Sequence, residues 1–213
     1  IYKGDGGGAE SGATELLVQP GHHGFILRYQ SPVGDSSWST IRDFSIRAEG
    51  KDLNVEPKHG IHMFARAAVK SVGVGGFSGD GLRVDAGAGV PGTGDYTNAN
   101  HFYFEHCRFV GNTGWGVNVN DGGDTNCGVF VACDASGNTA GDWRLNSFFG
   151  TTLLGCSSNS EVDPNVQLEC GGDTRRDLVL GHYVEGSRPD AVRVMYPATC
   201  IGGTAAALAL LRT

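Results

Sequence analysis

The chain has 213 residues, of which 35 are Gly and 7 are Pro, and only 18% are charged. Each Gly costs a helix about 1 kcal/mol relative to Ala, so this composition excludes a long-helical or coiled-coil protein, and Gly does not recur at every third position as collagen requires. A net charge of −7 without a Lys/Arg run argues against nucleic acid or an anionic membrane as a partner; the longest apolar run, Ala205–Leu211, is far short of the about 20 residues of a membrane span.

Apolar residues make up 39% of the chain, too many for Gly-rich disorder, and a β-rich chain with many tight turns remains. It opens on Ile1 rather than Met and is expected to be a fragment of a longer or processed chain. In chain order, Thr14–Val18 and Phe25–Leu27 read as short strands after a Gly-rich turn. Ile41, Phe44 and Ile46 mark the next strand, and 51–58 intrudes before Ile61.

From there a repeat is legible. Six segments alternate apolar and polar with period two: Ile61-His62-Met63, Leu82-Arg83-Val84, Val117-Asn118-Val119, Trp143-Arg144-Leu145, Val166-Gln167-Leu168 and Val192-Arg193-Val194. Their starts are 21, 35, 26, 23 and 26 residues apart. Ten residues before the last five starts stand Val72, Cys107, Cys133, Cys156 and His182. Eight before stand Val74, Phe109, Ala135, Ser158 and Val184, and thirteen before stand Val69, Phe104, Phe130, Leu153 and Val179. Fixed offsets with variable loops are the mark of a solenoid of stacked coils, each strand about 4.8 Å from its equivalent. Asn112 and Asn138, inside two Gly-Asn-Thr segments, occupy equivalent corners.

The segments Ile41-Arg42-Asp43-Phe44-Ser45-Ile46, Gly60-Ile61-His62-Met63 and Val72 to Leu82 resemble the coils of right-handed parallel β-helix proteins of the pectate-lyase type, among them bacteriophage tail spikes and polysaccharide depolymerases. The resemblance implies an all-β, single-stranded, right-handed parallel β-helix, and the period of roughly 25 residues gives seven to eight coils. Residues 1–200 are expected to form this domain and 201–213 a cap or tail. The superfamily's hydrolase set of Asn-Thr-Asp, Asp-Asp and Gly-His-Gly is absent, so the resemblance carries architecture and no catalytic residue.

Candidate site residues come from the stacked outward positions. His62, Arg83, Asn118, Arg144, Gln167 and Arg193 form one column; Phe64, Asp85, Asn120, Asn146, Glu169 and Met195 form the next. A face of donors and acceptors along an elongated groove suits a polysaccharide; alternatively it is a solvated face whose amide stacks stabilise the sheet. Asp85 and Glu169 are three coils, about 14 Å, apart, beyond the about 5–9.5 Å of a glycosidase pair. Asp85 with Asp121 or Asp124 is the better carboxylate pair, although Asp121-Gly122-Gly123-Asp124 also reads as a turn. Arg83 and Arg144 suit a sugar carboxylate, and Arg144 or His62 suits the base of a lyase. Tyr96, in the long 86–100 loop, is a candidate for stacking on a sugar.

Of the six Cys, 107, 133 and 156 are expected on an inward ladder, whereas 127, 170 and 200 fit either free thiols or a bridge. His182 reads as a core histidine, Trp143 as core, Trp115 as core or a sugar platform, and His22-His23 as a turn. The expected function is a tail-spike-like, carbohydrate-directed protein that binds a bacterial surface polysaccharide and depolymerises it; the alternatives are a non-enzymatic stalk and a secreted uronate lyase. No cofactor is called for, with Ca entering only for a lyase. The expected assembly is a homotrimer at an extracellular or virion-associated location, without nucleic acid or membrane insertion.

Overall fold

The computed structural model describes residues 14–28, 39–51, 56–85, 97–120, 125–147, 150–162, 166–169, 177–185, 192–195 and 208–211, with the backbone alone at 168–169, 192–195 and 208–211. In chain order the strands are β1 (Glu15–Val18), β2 (Phe25–Leu27), β3 (Ser39–Ala48), β4 (Ile61–Met63), β5 (Ala67–Gly75), β6 (Leu82–Val84), β7 (Tyr103–Glu105), β8 (Arg108–Val110) and β9 (Trp115–Val119). They continue as β10 (Gly128–Val131), β11 (Asp134–Ser136), β12 (Gly141–Leu145), β13 (Thr151–Leu154), β14 (Ser157–Asn159), β15 (Val166–Glu169), β16 (Leu178–Val184), β17 (Val192–Met195) and β18 (Leu208–Leu211). The described residues contain no helix.

Every strand pairing is parallel and joins one coil to the next. A seven-stranded sheet runs β17-β15-β12-β9-β6-β4-β2. The eleven-stranded sheet has two arms: β7, β10 and β13 form one, β8, β11 and β14 the other, and the long strands β5 and β16 belong to both. The chain is thus an all-β parallel β-solenoid of about five turns, fewer than the seven to eight expected. Dividing the whole length by one period overcounts, because the spacing between equivalent strand starts varies from 21 to 35 residues.

All three predicted inward ladders are in register. Val69, Phe104, Phe130, Leu153 and Val179 stack in one, Val72, Cys107, Cys133, Cys156 and His182 in the second, and Val74, Phe109, Ala135, Ser158 and Val184 in the third. These residues are almost all fully buried. Phe104 stacks on Phe130 with ring centroids 5.1 Å apart, and Trp143 meets Phe130 edge-on at 5.3 Å. Burying each large side chain contributes about 1.5–3 kcal/mol. Cys107, Cys133 and Cys156 are buried free thiols that serve as small apolar residues. In the same ladder His182 accepts its place by bonding Ser158 Oγ at 2.8 Å.

Corners repeat as regularly as strands. The residue before the cysteine ladder is left-handed at six successive equivalent positions: Asp43, Ser71, His106, Ala132, Gly155 and Gly181, with φ between 49° and 65°. Only the last two are glycines. A left-handed conformation costs a residue with a Cβ about 1–2 kcal/mol. Ala132 has no side-chain polar group to offset this, so Ala132→Gly is expected to stabilise the protein by roughly 0.5–1 kcal/mol after the added chain entropy of Gly, read as a higher midpoint in thermal unfolding.

The amide corner is a hydrogen-bonded column. Phe77 N donates to Asn112 Oδ1 at 3.1 Å, Asn112 N to Asn138 Oδ1 at 3.0 Å, and Asn138 N to Ser160 Oγ at 2.8 Å. Asn138 Nδ2 also donates to Phe109 O at 2.9 Å and Asp142 Oδ1 at 2.8 Å. Asn138→Ala therefore strands several buried groups at about 1–3 kcal/mol each. A fall in stability of at least about 2 kcal/mol is expected in chemical unfolding, against a near-neutral Thr139→Ala at the exposed neighbouring position.

Candidate functional site

The outward columns of the seven-stranded sheet form as the alternation predicts. His62, Arg83, Asn118, Arg144, Gln167 and Arg193 are in register across six strands. Just beyond them, Asp85 N donates to Met63 O at 3.0 Å, Asn120 N to Val84 O at 3.0 Å and Asn146 N to Val119 O at 2.8 Å, which carries the second column from coil to coil.

Asp85 gathers residues from three adjacent coils. Its Oδ2 accepts Arg83 Nε at 2.8 Å and lies 2.9 Å from His62 Nε2; its Oδ1 accepts Asn120 Nδ2 at 2.9 Å. Burial alone would raise the Asp85 carboxyl, but these bonds from His62, Arg83 and Asn120, with the charge of Arg83, hold it well below the usual carboxylate range. Asp85 is therefore an ionised acceptor, and His62 faces it through an Nε2–H. Arg83 reaches back with its second nitrogen to Asp80 Oδ2 at 3.4 Å, so one guanidinium spans two carboxylates.

Asp80 belongs to a corner that begins two coils earlier. His59 N donates to His23 Nδ1 at 2.9 Å, Asp80 N to His59 Nδ1 at 2.8 Å, and Trp115 N to Asp80 Oδ1 at 2.8 Å. Asn118 Nδ2 adds a bond to Asp80 Oδ2 at 3.0 Å. Burial pushes the Asp80 carboxyl up, against these donors and Arg83. A backbone N–H can only donate, so Nδ1 of both histidines must carry a lone pair. His59 Nδ1 also lies 3.6 Å from Asp80 Oδ2, yet for the same reason this is a neutral contact rather than an ion pair. The rings of His23, His59 and His62 lie 4.9–5.4 Å apart, and His62 rests on Phe64 at 4.3 Å.

Of the expected site residues, the structure brings together His62, Arg83, Asp85 and Asn120. Asn118 is buried rather than solvent-facing, because the Asp80 carboxylate covers its amide. Arg144, with Asn146 on the next column, stands two coils above Arg83, about 10 Å along the stack. Asp121, Asp124 and Tyr96 lie outside the described residues, as does the side chain of Glu169, so the Asp85–Asp121 pair falls outside them too. Cys127 is exposed and free; Cys170 and Cys200 are not among the described residues. Trp143 is core as expected, whereas Trp115 is half-buried. The residues that sequence reasoning missed are Asp80, His59 and His23. Each stands two positions before a strand's first apolar residue, the same offset in three coils, and that was the available signal.

Among the described residues, no group of three or more His, Cys, Asp or Glu is arranged to hold a metal ion, and no helix is long and apolar enough to cross a membrane. Compared with known proteins, the chain matches no family model, no curated protein and no solved structure. The fold and the site together define a parallel β-solenoid whose seven-stranded sheet presents a stacked polar column. At one end that column is locked into a His–Asp–Arg–Asn network.

The histidine corner makes stability depend on pH. Burial, followed by repulsion from His62, lowers His23 from its ordinary 6.5 to about 4 and His59 to about 3. The unfolded chain takes up these protons near pH 6.5 and the folded chain refuses them. The histidines' contribution is thus present above pH 6.5 and is lost as the pH falls toward 4. Asp142, which burial raises to about 6, acts in the opposite direction over the same range, so a difference is the informative quantity. His59→Asn keeps an acceptor for Asp80 N, as Asn112 does at the amide corner. Between pH 7 and pH 5 the urea midpoint is expected to fall further for the unsubstituted protein than for His59→Asn.

Proposed function

We propose that this chain is a carbohydrate-directed, right-handed β-helix of the pectate-lyase-like, tail-spike kind that binds a bacterial surface polysaccharide along its seven-stranded sheet. The observation that carries this reading is the polar column that runs from His62 to Arg193, one residue per strand. Arg83, Arg144 and Arg193 alternate in register with Asn118 and Gln167, and Asp85, Asn120 and Asn146 stand beside them. Half-buried side chains held by neighbours lose little entropy on binding, which favours a preorganised surface. In this reading the protein works outside the cell or on a virion, as a homotrimer. Large apolar side chains exposed on the outer face of the longer sheet, Leu154, Leu178, Leu180 and Tyr183, support association.

Binding without cleavage fits the network better than hydrolysis does. Asp85 accepts three donors and stays ionised, so it has no proton to give a leaving group. Lyase chemistry would fall to His62, whose Nδ1 is the lone-pair nitrogen when the ring is neutral and which Asp85 orients. A rigid stalk without ligand is the remaining alternative.

Affinity electrophoresis through gels containing a panel of bacterial polysaccharides tests the reading. Retardation by at least one acidic polysaccharide is expected, weakened about tenfold, or about 1.4 kcal/mol, by Asn120→Ala or Gln167→Ala. Appearance of unsaturated products in ultraviolet absorbance would assign a lyase, and new reducing ends without them a hydrolase. A mobility unchanged by every glycan in the panel would leave the stalk.

A further inference from the structure

On the outer face of the longer sheet, two outward positions of one coil carry no side chain. Val72 and Val74 of β5 point inward and are buried, so Gly73 and Gly75 point out. Gly73 lies in register between Ser45 and Arg108, and Gly75 between Arg47 and Val110. The result is a trough of about 280 Å³ floored by bare peptide, with Glu15 and Arg47 on one wall and Arg108 and Val110 on the other. Pockets for drug-sized ligands are about 300–1,000 Å³, so this one matches a single small ring.

The two arginines differ in what holds them. Arg47 is pinned by Glu15 through two bonds, 2.9 Å from Nε and 3.1 Å from its terminal nitrogen, which neutralises that wall. Arg108 makes one long contact of 3.5 Å from Nε to Asp134 Oδ2. The Asp134 carboxylate already accepts the hydroxyls of Ser157 at 2.8 Å and Ser136 at 3.3 Å. The Arg108 side chain is 62% exposed, so its guanidinium keeps most of its donors and is the charge left over at the trough.

We propose that this trough is a binding site for a carboxylate carried on a six-membered ring. One face of the ring lies against the Gly73 and Gly75 peptides with Val110 at its edge, and the carboxylate takes a forked pair of bonds from Arg108. The site is on a different sheet from the polar column and does not rest on the glycan reading.

Titration of the ¹⁵N-labelled protein with benzoate and with glucuronate, against benzyl alcohol and glucose as neutral counterparts, tests it. Saturable shifts at the Gly73 and Gly75 amides are expected from at least one acid, with at least fivefold tighter binding than its neutral counterpart. Preference for benzoate would name an aromatic acid and preference for glucuronate a sugar acid. Arg108→Gln is expected to weaken binding at least fivefold. Gly73→Leu fills the floor and abolishes binding; a Cβ there first meets Ser45 Oγ at 3.1 Å, a side chain able to turn away, and unchanged far-ultraviolet circular dichroism checks the fold. Should Gly73→Leu misfold, Arg108→Gln decides alone. Equal binding of acids and neutral compounds, shifts that bypass both glycines, or an Arg108→Gln protein that binds as well as the unsubstituted one would each overturn the proposal.

Discussion

Parallel pairing of each coil with its successor is the constraint on which everything else here depends. A strand about 4.8 Å from its equivalent has no choice of neighbour: whatever one coil places at a given position faces whatever the next coil places there. Inside, this rewards like on like, as in Phe104 on Phe130 and Cys107 on Cys133. At corners it rewards any side chain that accepts a neighbouring coil's N–H, whether of the coil before or the coil after. Asn112 and Asn138 do this at one corner, and His23, His59 and Asp80 do it at another. Asn, His and Asp have met the same need, because what the stack demands is an acceptor facing an N–H.

That demand makes the histidine corner the place where fold and candidate site meet. Asp80 caps Trp115 N, and the same carboxylate receives Arg83 and Asn118. Arg83 passes the network on to Asp85, which takes His62 and Asn120. A buried carboxylate left without donors is costly, so each acid is held by several groups, and those groups are fixed in turn. Rigidity of this kind costs the site its freedom to act as a proton donor. It suits a surface whose donors must already be in place when a ligand arrives.

Much of this was legible in the chain itself. Three inward ladders and the outward column emerged from fixed offsets, because period-two alternation survives loops of any length. The corners were only half legible. Asn112 and Asn138 announced themselves inside repeated Gly-Asn-Thr, but His23-His59-Asp80 changes residue type from coil to coil, and a stack of unlike acceptors has no motif. The left-handed corner was hidden for the same reason. Asp43, Ser71, His106 and Ala132 hold a bend that glycine would adopt at least cost, since neighbouring coils impose the geometry whatever the residue. The number of turns was overcounted because a mean period does not separate residues that complete a coil from residues that decorate it.

Stacking also limits which charges a column can carry. Like charges on adjacent coils would sit about 5 Å apart and repel. The outward column obeys this rule: Arg83, Arg144 and Arg193 are separated by Asn118 and Gln167, and the first of them is paired with Asp85 and Asp80. Cations on alternate coils recur about every 10 Å. A compact anion would meet only one of them, whereas an extended polymer whose acidic groups recur at a similar spacing would meet several at once, each weak contact raising the effective concentration of the next. The trough over Gly73 and Gly75 is the converse case. It is a single interruption in the side-chain cover with a single underused guanidinium, so it suits a small ligand bound once. The same repeat thus offers a periodic surface where its outward residues alternate and an isolated pocket where two of them are missing.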